Sequence, residues 1–283
     1  MTVSAAVRAA VSVADRLGVA CAEPVILAGG ANVIVHLSPS PFVAKVAGST
    51  AAIRGDGAAW LQRELDVAFF LAQAGIPVMA PARGLPRTVH HCDGHVMSFW
   101  TYLPPSGTQR PGEDTIGSML RDLHAALHAY PAPQPVLIPL ADIPAFLARP
   151  QTLFSPSDVA LLGEAFDRLT GDLAATAAPG QILHGDAGAS NLMATGGQWV
   201  WHDFEDTCSG PVAWDLAATT ASPRLDRSRI LAAYSDPVDE AQLRICEQLR
   251  RLTLTIWYAL YAERLPECRQ RAADLLATWR EPA

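Results

Sequence analysis

The residues able to do chemistry are concentrated late in the chain. They lie in Ile182-Leu-His-Gly-Asp-Ala-Gly-Ala-Ser-Asn-Leu-Met193 and in Trp199-Val-Trp-His-Asp-Phe-Glu-Asp206. Apolar residues bracket a polar loop from His184 to Asn191, and a second strand-like run ends in Asp203. Asp186, Asn191 and Asp203 thus fall at strand ends that a hairpin would bring together. Two carboxylates and a carboxamide are hard oxygen ligands suited to Mg2+, and a carboxylate beside them can accept a hydroxyl proton. An isolated Asp-x4-Asn is also ordinary turn chemistry, so the weight of this reading comes from the rest of the chain.

Of 21 basic residues, 20 are arginine and one, Lys45, is lysine. A lone lysine in an arginine-rich chain suits a place that needs a compact ammonium rather than a guanidinium fork. Phosphoryl transfer from a nucleotide needs a backbone loop over the phosphates and an ammonium paired with two of them. It also needs an acid to hold that ammonium, metal ligands, and a carboxylate to orient the attacking hydroxyl. The sequence offers these in order: Gly29-Gly30-Ala31-Asn32 as the loop, Lys45 within Phe42-Val-Ala-Lys-Val46, Glu64 within Trp60-Leu-Gln-Arg-Glu-Leu65, then Asp186, Asn191 and Asp203.

The elements that must position them read as follows. Residues 4–19 pattern as a helix, followed by strands Val25–Ala28, Asn32–Leu37 and Pro41–Ala47, with the glycine pair as a hairpin signal. Residues 57–74 carry an i, i+4, i+7 apolar stripe through Leu61, Leu65, Ala68 and Ala72, stopped by Gly75-Ile76-Pro77. Arg83–Val89 and His95–Trp100 read as a further strand pair across Cys92-Asp93-Gly94. Leu103-Pro-Pro-Ser-Gly107 is a turn-rich connector. Beyond it the pattern is helical, including Val159–Ala174 and Arg251–Arg264, interrupted by strand-like Gln181–Leu183, Leu192–Ala194 and Trp199–His202. The expected fold class is α+β and two-lobed: an N-lobe over 1–102, rich in β with one key helix, and a mainly helical C-lobe over 103–283.

With Lys45, Glu64, His184-Gly-Asp-(x4)-Asn191 and Asp203-Phe-Glu205 in this order, the chain resembles the aminoglycoside phosphotransferase and choline kinase-like family, small-molecule kinases with a protein-kinase-like fold. Gly185 and Glu205 stand where protein kinases carry Arg and Gly, and no activation segment ends in Ala-Pro-Glu. Both point to a small-molecule acceptor. The resemblance covers about residues 25–265 and extends to Met119–His124 and Gly210–Ala217. It implies Asp186 as the catalytic carboxylate and Asn191 and Asp203 as Mg2+ ligands. Lys45, paired with Glu64, would contact the nucleotide phosphates under Gly29 and Gly30. A hinge at Phe99, Trp100, Tyr102 and Leu103 would bind adenine through its backbone. Asp215 would brace the catalytic loop, and His184 would support it by hydrogen bonding. The implied cosubstrate is ATP, with GTP as the alternative.

Other residues leave two readings open. Trp257 and Tyr261 on a late helix are either core packing or, with Glu263, a face for a cationic acceptor. Glu205 and Asp206 are either loop acids or part of the acceptor pocket. The expected acceptor is an antibiotic, aminoglycoside-like or otherwise cationic, or an amino alcohol or sugar. A net charge of −7 from 21 basic and 28 acidic residues argues against nucleic acid as a partner. Five cysteines without paired spacing favour a reducing, cytoplasmic setting. The N-terminus has no apolar leader pattern. The longest uncharged run, Val67–Ala82, is too short and too broken by proline to span a bilayer. Monomer and dimer are equally compatible. Two further functions stay open: a nucleotide-binding pseudokinase or sensor, and a metal-dependent hydrolase built on His184, Asp186, His202 and Asp203.

Overall fold

A computed structural model describes residues 2–48, 54–55, 57–107, 109–150, 152–176, 180–222, 224–263 and 265–280. These cluster into two units: the chain to Pro111 together with Ser190–Thr207, and Gly112–Ala189 together with Cys208–Ala283.

The first unit is built on a five-stranded antiparallel sheet of order β1-β2-β3-β5-β4, with β1 Cys21–Gly29, β2 Asn32–Pro39, β3 Phe42–Ala47, β4 His90–Cys92 and β5 His95–Thr101. Helix α1 (Val3–Arg16) starts at the Thr2 cap and turns Ala6, Ala9, Ala10, Val13 and Ala14 inward. These small side chains let the helix settle closely on Val33, Val35, Leu37, Ala44, Val46, Met97 and Phe99. Because successive strand residues point to opposite faces, packing Ala44 and Val46 against α1 sends Lys45 to the other face. Cross-strand pairing there aligns Ile34, Lys45 and Ser98. That face is covered by α2 (Ala58–Gln73), whose Leu61 packs with Ala47 and Val96. Three residues beyond Leu61 the same helix carries Glu64.

The strand expected over Arg83–Val89 is not formed; β4 is confined to His90–Cys92. Gly84 is left-handed, at φ 86°, and Pro86 lacks the N–H that a ladder needs, so 83–89 runs as turns. The turn between β4 and β5 follows expectation, with Asp93 and Gly94 both at positive φ, the arrangement that matches strand twist in a two-residue hairpin. The other strands and helices occur with shifted ends; β1 begins at Cys21 rather than Val25.

A second hairpin, β7 (Leu192–Thr195) and β8 (Gln198–Trp201), turns through Gly196-Gly197 and belongs to this first unit. It is stitched in by Met79 N to Trp201 O at 2.8 Å, Trp201 N to Pro77 O at 2.9 Å and Ser106 N to Ala194 O at 2.7 Å.

The second unit is mainly helical: α3 Glu113–His128, α4 Asp142–Leu147, α5 Pro156–Ala174, α6 Ala213–Thr220, α7 Arg227–Tyr234, α8 Glu240–Ala262 and α9 Cys268–Arg280. A short antiparallel pair, β6 (Gln181–Leu183) with β9 (Cys208–Gly210), sits among them. The late helix expected over Arg251–Arg264 begins earlier, where Asp239 caps the first amides of α8; Arg264 lies outside the described residues. Helix α8 buries Leu243, Cys246, Leu249, Leu252, Ile256 and Leu260 and packs on α5, α6 and α9. α3 and α7 meet so closely at Gly117 that a Cβ there would lie 2.3 Å from Ile230 O. Among the described residues, no helix is long and apolar enough to cross a membrane.

Candidate functional site

In the first unit, sheet and helix bring Lys45 and Glu64 together. The ammonium donates to both Glu64 oxygens, at 2.9 and 2.8 Å, with the two residues only 6% and 3% exposed. The β7–β8 register adds the third partner. Leu192 pairs with Trp201, so Asn191 lies across from His202, whose N–H donates to Asn191 O at 3.0 Å. Asp203 follows at the open end of the same hairpin. It adopts a left-handed conformation, φ 68° and ψ 56°, that few side chains other than Asp and Asn tolerate. Its Oδ1 stands 2.5 Å from the Lys45 nitrogen, and Glu205 Oε2 stands 3.2 Å from it.

Lys45 sits among three acidic side chains. Burial on its own lowers the Lys45 pKa, but Asp203, Glu205 and Glu64 override it and hold the ammonium well above its ordinary value. Burial, and then the nearby Asp203 and Glu205, push Glu64 up to about 8 against the pull of Lys45. Both shifts have one origin: three acidic side chains crowd one ammonium, protonation of Glu64 relieves the crowding, and Glu205 is shared further with Arg54 at 3.7 Å. Among the described residues, Glu64, Asp203 and Glu205 form the group of acids able to hold a metal ion, and neither His184 nor His202 belongs to it. An all-oxygen donor set fits a hard divalent cation.

Glu205 and Asp206, which the sequence leaves as either loop acids or part of the acceptor pocket, are engaged by this unit's own groups. Asn32 Nδ2 donates to Glu205 Oε2 at 2.9 Å while its Oδ1 accepts from Gly48 N at 3.2 Å. Arg54 pairs with Asp206 at 2.7 Å and lies 3.8 Å above the Trp60 ring. A Cβ on Gly48 would sit 2.2 Å from Ala31 O, so the loop carrying Gly29 and Gly30 is fixed against the end of β3. At the hinge, Phe99 points into the α1 core and its carbonyl accepts from Ala82 N at 3.0 Å. Thr101 N and Tyr102 N donate to Ala80 O and Pro41 O at 3.1 and 2.8 Å. Trp100 pairs with Val43, the Tyr102 ring stacks on His36 at 3.8 Å, and Leu103 opens the turn-rich connector.

In the second unit, β6 runs into the loop that carries Asp186. Asp215, fully buried on α6, accepts from His184 N at 2.8 Å and Gly185 N at 2.9 Å. His124 Nε2 lies 3.1 Å from it and His124 Nδ1 lies 2.8 Å from the Tyr234 hydroxyl. Asp215 only accepts, so Nε2 is the donor. Burial alone would raise the Asp215 pKa; the His124 hydrogen bond, the charge of both histidines and the His184 amide hold it below the ordinary value instead. Trp214 Nε1 donates to Gly185 O at 2.8 Å. Arg250, on α8, donates to Gly185 O at 3.2 Å and to Asp186 Oδ1. Trp257 and Tyr261 are half-buried, with ring centroids 5.7 Å apart; Glu263 is exposed and paired with Arg149 at 3.5 Å.

Sequence reasoning missed Arg54, Arg250 and the bridging role of Asn32. Arg250 left no distinct trace: it is one of two successive arginines, Arg250-Arg251, between Leu249 and Leu252.

Known structures share this fold. An amicoumacin kinase in complex with AMP-PNP, Ca2+ and its ligand superimposes with a TM-score of 0.73 at 14% identity, over 98% of this chain and 94% of that one. A choline/ethanolamine kinase family protein from Mesorhizobium loti gives 0.64 at 19%, over 99% and 94%. The GDP and kanamycin complex of APH(2")-IIia gives 0.66 at 15%, over 97% and 98%. No curated protein sequence matches the chain. The family model of the phosphotransferase enzymes matches residues 28–252. The fold is thus protein-kinase-like, as the motif order implies, and the chain belongs to the phosphotransferase enzyme family.

Proposed function

We propose that this small-molecule kinase moves the γ-phosphoryl group of ATP, or alternatively GTP, to a hydroxyl of its acceptor, with Mg2+ held by Asn191 and Asp203. The observation that carries the proposal is the buried Lys45 ammonium gathered with Glu64, Asp203 and Glu205, an oxygen-rich cluster that a magnesium nucleotide would complete. A bound divalent cation supplies charge neutralisation for the phosphates. Lys45 binds the nucleotide's phosphate tail and Glu64 keeps that ammonium in place. Asn32 and Gly48 hold the Gly29-Gly30 loop. Since Phe99 O, Thr101 N and Tyr102 N are already bonded, adenine recognition is assigned to Leu103 and the chain after it. Asp186 orients the acceptor hydroxyl and takes its proton as the new P–O bond forms and the bond to the β-phosphate oxygen breaks. Asp215 and Trp214 fix the loop backbone, so that the carboxylate is set before the acceptor arrives.

The acceptor is read as an antibiotic, an amino alcohol or a sugar, supported by the ligands in the complexes named above. Trp257 and Tyr261 remain its candidate contacts. Nucleoside triphosphate as donor favours the cytoplasm as the place of reaction. The test is ADP release across a panel of aminoglycosides, other antibiotics, amino alcohols and sugars. At least one acceptor is expected to stimulate release, and Asp186→Ala should abolish that stimulation while nucleotide binding persists. Stimulated turnover that survives Asp186→Ala removes the assigned carboxylate. Absence of magnesium-nucleotide binding removes the function.

A further inference from the structure

Asp186 and Arg250 lie 64 positions apart in sequence, and both belong to the second unit. Arg250 is buried on α8, with 8% of its side chain exposed, whereas the Asp186 side chain retains 38%. The anion is therefore at the surface and the cation beneath it. One guanidinium nitrogen donates to Asp186 Oδ1, a second donates to Gly185 O at 3.2 Å, and the plane lies 5.1 Å from the Trp214 ring centroid. Trp214 in turn donates to the same Gly185 carbonyl at 2.8 Å. The guanidinium thus spans the carboxylate and the backbone of the residue before it, a rigid fork that a lysine could not reproduce.

We propose that Arg250 is a positioning residue for phosphoryl transfer. It fixes the rotamer of Asp186 by holding Oδ1 from below and so turns the exposed edge of the carboxylate towards the acceptor hydroxyl. This rests on the phosphotransfer reading above. Arginine keeps its protons, so the acceptor's proton passes to Asp186 and not to Arg250; what Arg250 contributes is orientation. A carboxylate that loses this contact presents its oxygen in the wrong place more often, and misplacement by about 1 Å can lower turnover about 100-fold.

The experiment measures kcat and nucleotide Kd for Arg250→Met, Arg250→Ala and Arg250→Lys, each also in an Asp186→Asn background. Arg250→Met is expected to lower kcat about 100-fold with nucleotide Kd changed by less than about twofold. In the Asp186→Asn background the same substitution should cost no more than about twofold, because its target carboxylate is gone. Methylguanidinium should restore about tenfold in Arg250→Ala, where a vacant space can take it, and nothing in Arg250→Met. If Arg250→Met does not fold, Arg250→Lys carries the test, since it keeps the charge but replaces the planar fork by a single ammonium nitrogen. It is expected to melt like the parent and still lose kcat. A parent that transfers phosphate while Arg250→Lys and Arg250→Ala keep its kcat overturns the assignment. So does an equal loss with and without the Asp186 carboxylate. A parent that binds no magnesium nucleotide overturns the phosphotransfer reading, and this assignment with it.

Discussion

Replacing Asp215 tests the scaffold under Asp186 without touching the reacting groups. Asp215→Ala leaves the His184 and Gly185 amides, now bonded at 2.8 and 2.9 Å, buried without an acceptor. At about 1–3 kcal/mol for each orphaned donor, the loss is about 2–6 kcal/mol, before the lost His124 contact is counted. That is a large share of the roughly 5–15 kcal/mol a domain commands. Asp215→Asn retains one oxygen for one amide and turns an NH2 towards the other, so one donor is orphaned and the expected loss is about 1–3 kcal/mol. Urea unfolding at pH 7, followed by circular dichroism, orders the three proteins as parent, Asn, Ala. The pH dependence adds an independent check. Because the folded-state pKa of Asp215 is depressed, its contribution is complete above the ordinary carboxylate value near 3.9 and disappears as pH falls through the lower folded value. The parent should therefore show a steeper acid limb than Asp215→Asn. An Asn variant within about 0.5 kcal/mol of the parent, with an unchanged acid limb, would refute the brace.

Glu64 has the opposite sign. Its folded pKa is raised to about 8, so its favourable contribution is present at low pH and is lost as pH rises towards that value. Glu64→Gln should remove this decline, read as the melting temperature of the two proteins between pH 5 and pH 9. Lys45→Met leaves three clustered carboxylates without their ammonium; breaking such a buried pair costs about 3–5 kcal/mol, measurable by urea unfolding, and should abolish nucleotide binding in a fluorescent-nucleotide titration. Gly117→Ala runs against helix propensity. Its Cβ would lie 2.3 Å from Ile230 O and 2.8 Å from Ala233 Cβ, so it should destabilise by about 1–3 kcal/mol where an exposed helical glycine would gain from alanine.

What the sequence disclosed was what local pattern encodes. A lone lysine in a strand, an acid on the following helix and a carboxylate at a hairpin end are visible because spacing and alternation are local properties. Arg83–Val89 misled because its position before a hairpin turn says nothing of whether its N–H groups can be paired, and Gly84 and Pro86 decide that. Arg250 escaped for a different reason. It is one of 20 arginines, and its partner lies 64 positions earlier, so the packing of α8 against the loop created the contact. Asn32 was noticed as a loop residue, but Glu205, to which it donates, lies 173 positions further on.

The first unit takes its last hairpin from 190–207, after the chain has already contributed 112–189 to the second unit. A ribosome must therefore deliver residue 207 before Lys45 meets Asp203 and Glu205. Until then Lys45 has Glu64 but lacks the partners Asp203 and Glu205. A gene fragment ending at residue 111 would carry Lys45 and Glu64 yet lack the two acids that overload them. Recombination that swaps the first unit between relatives has to exchange both segments at once.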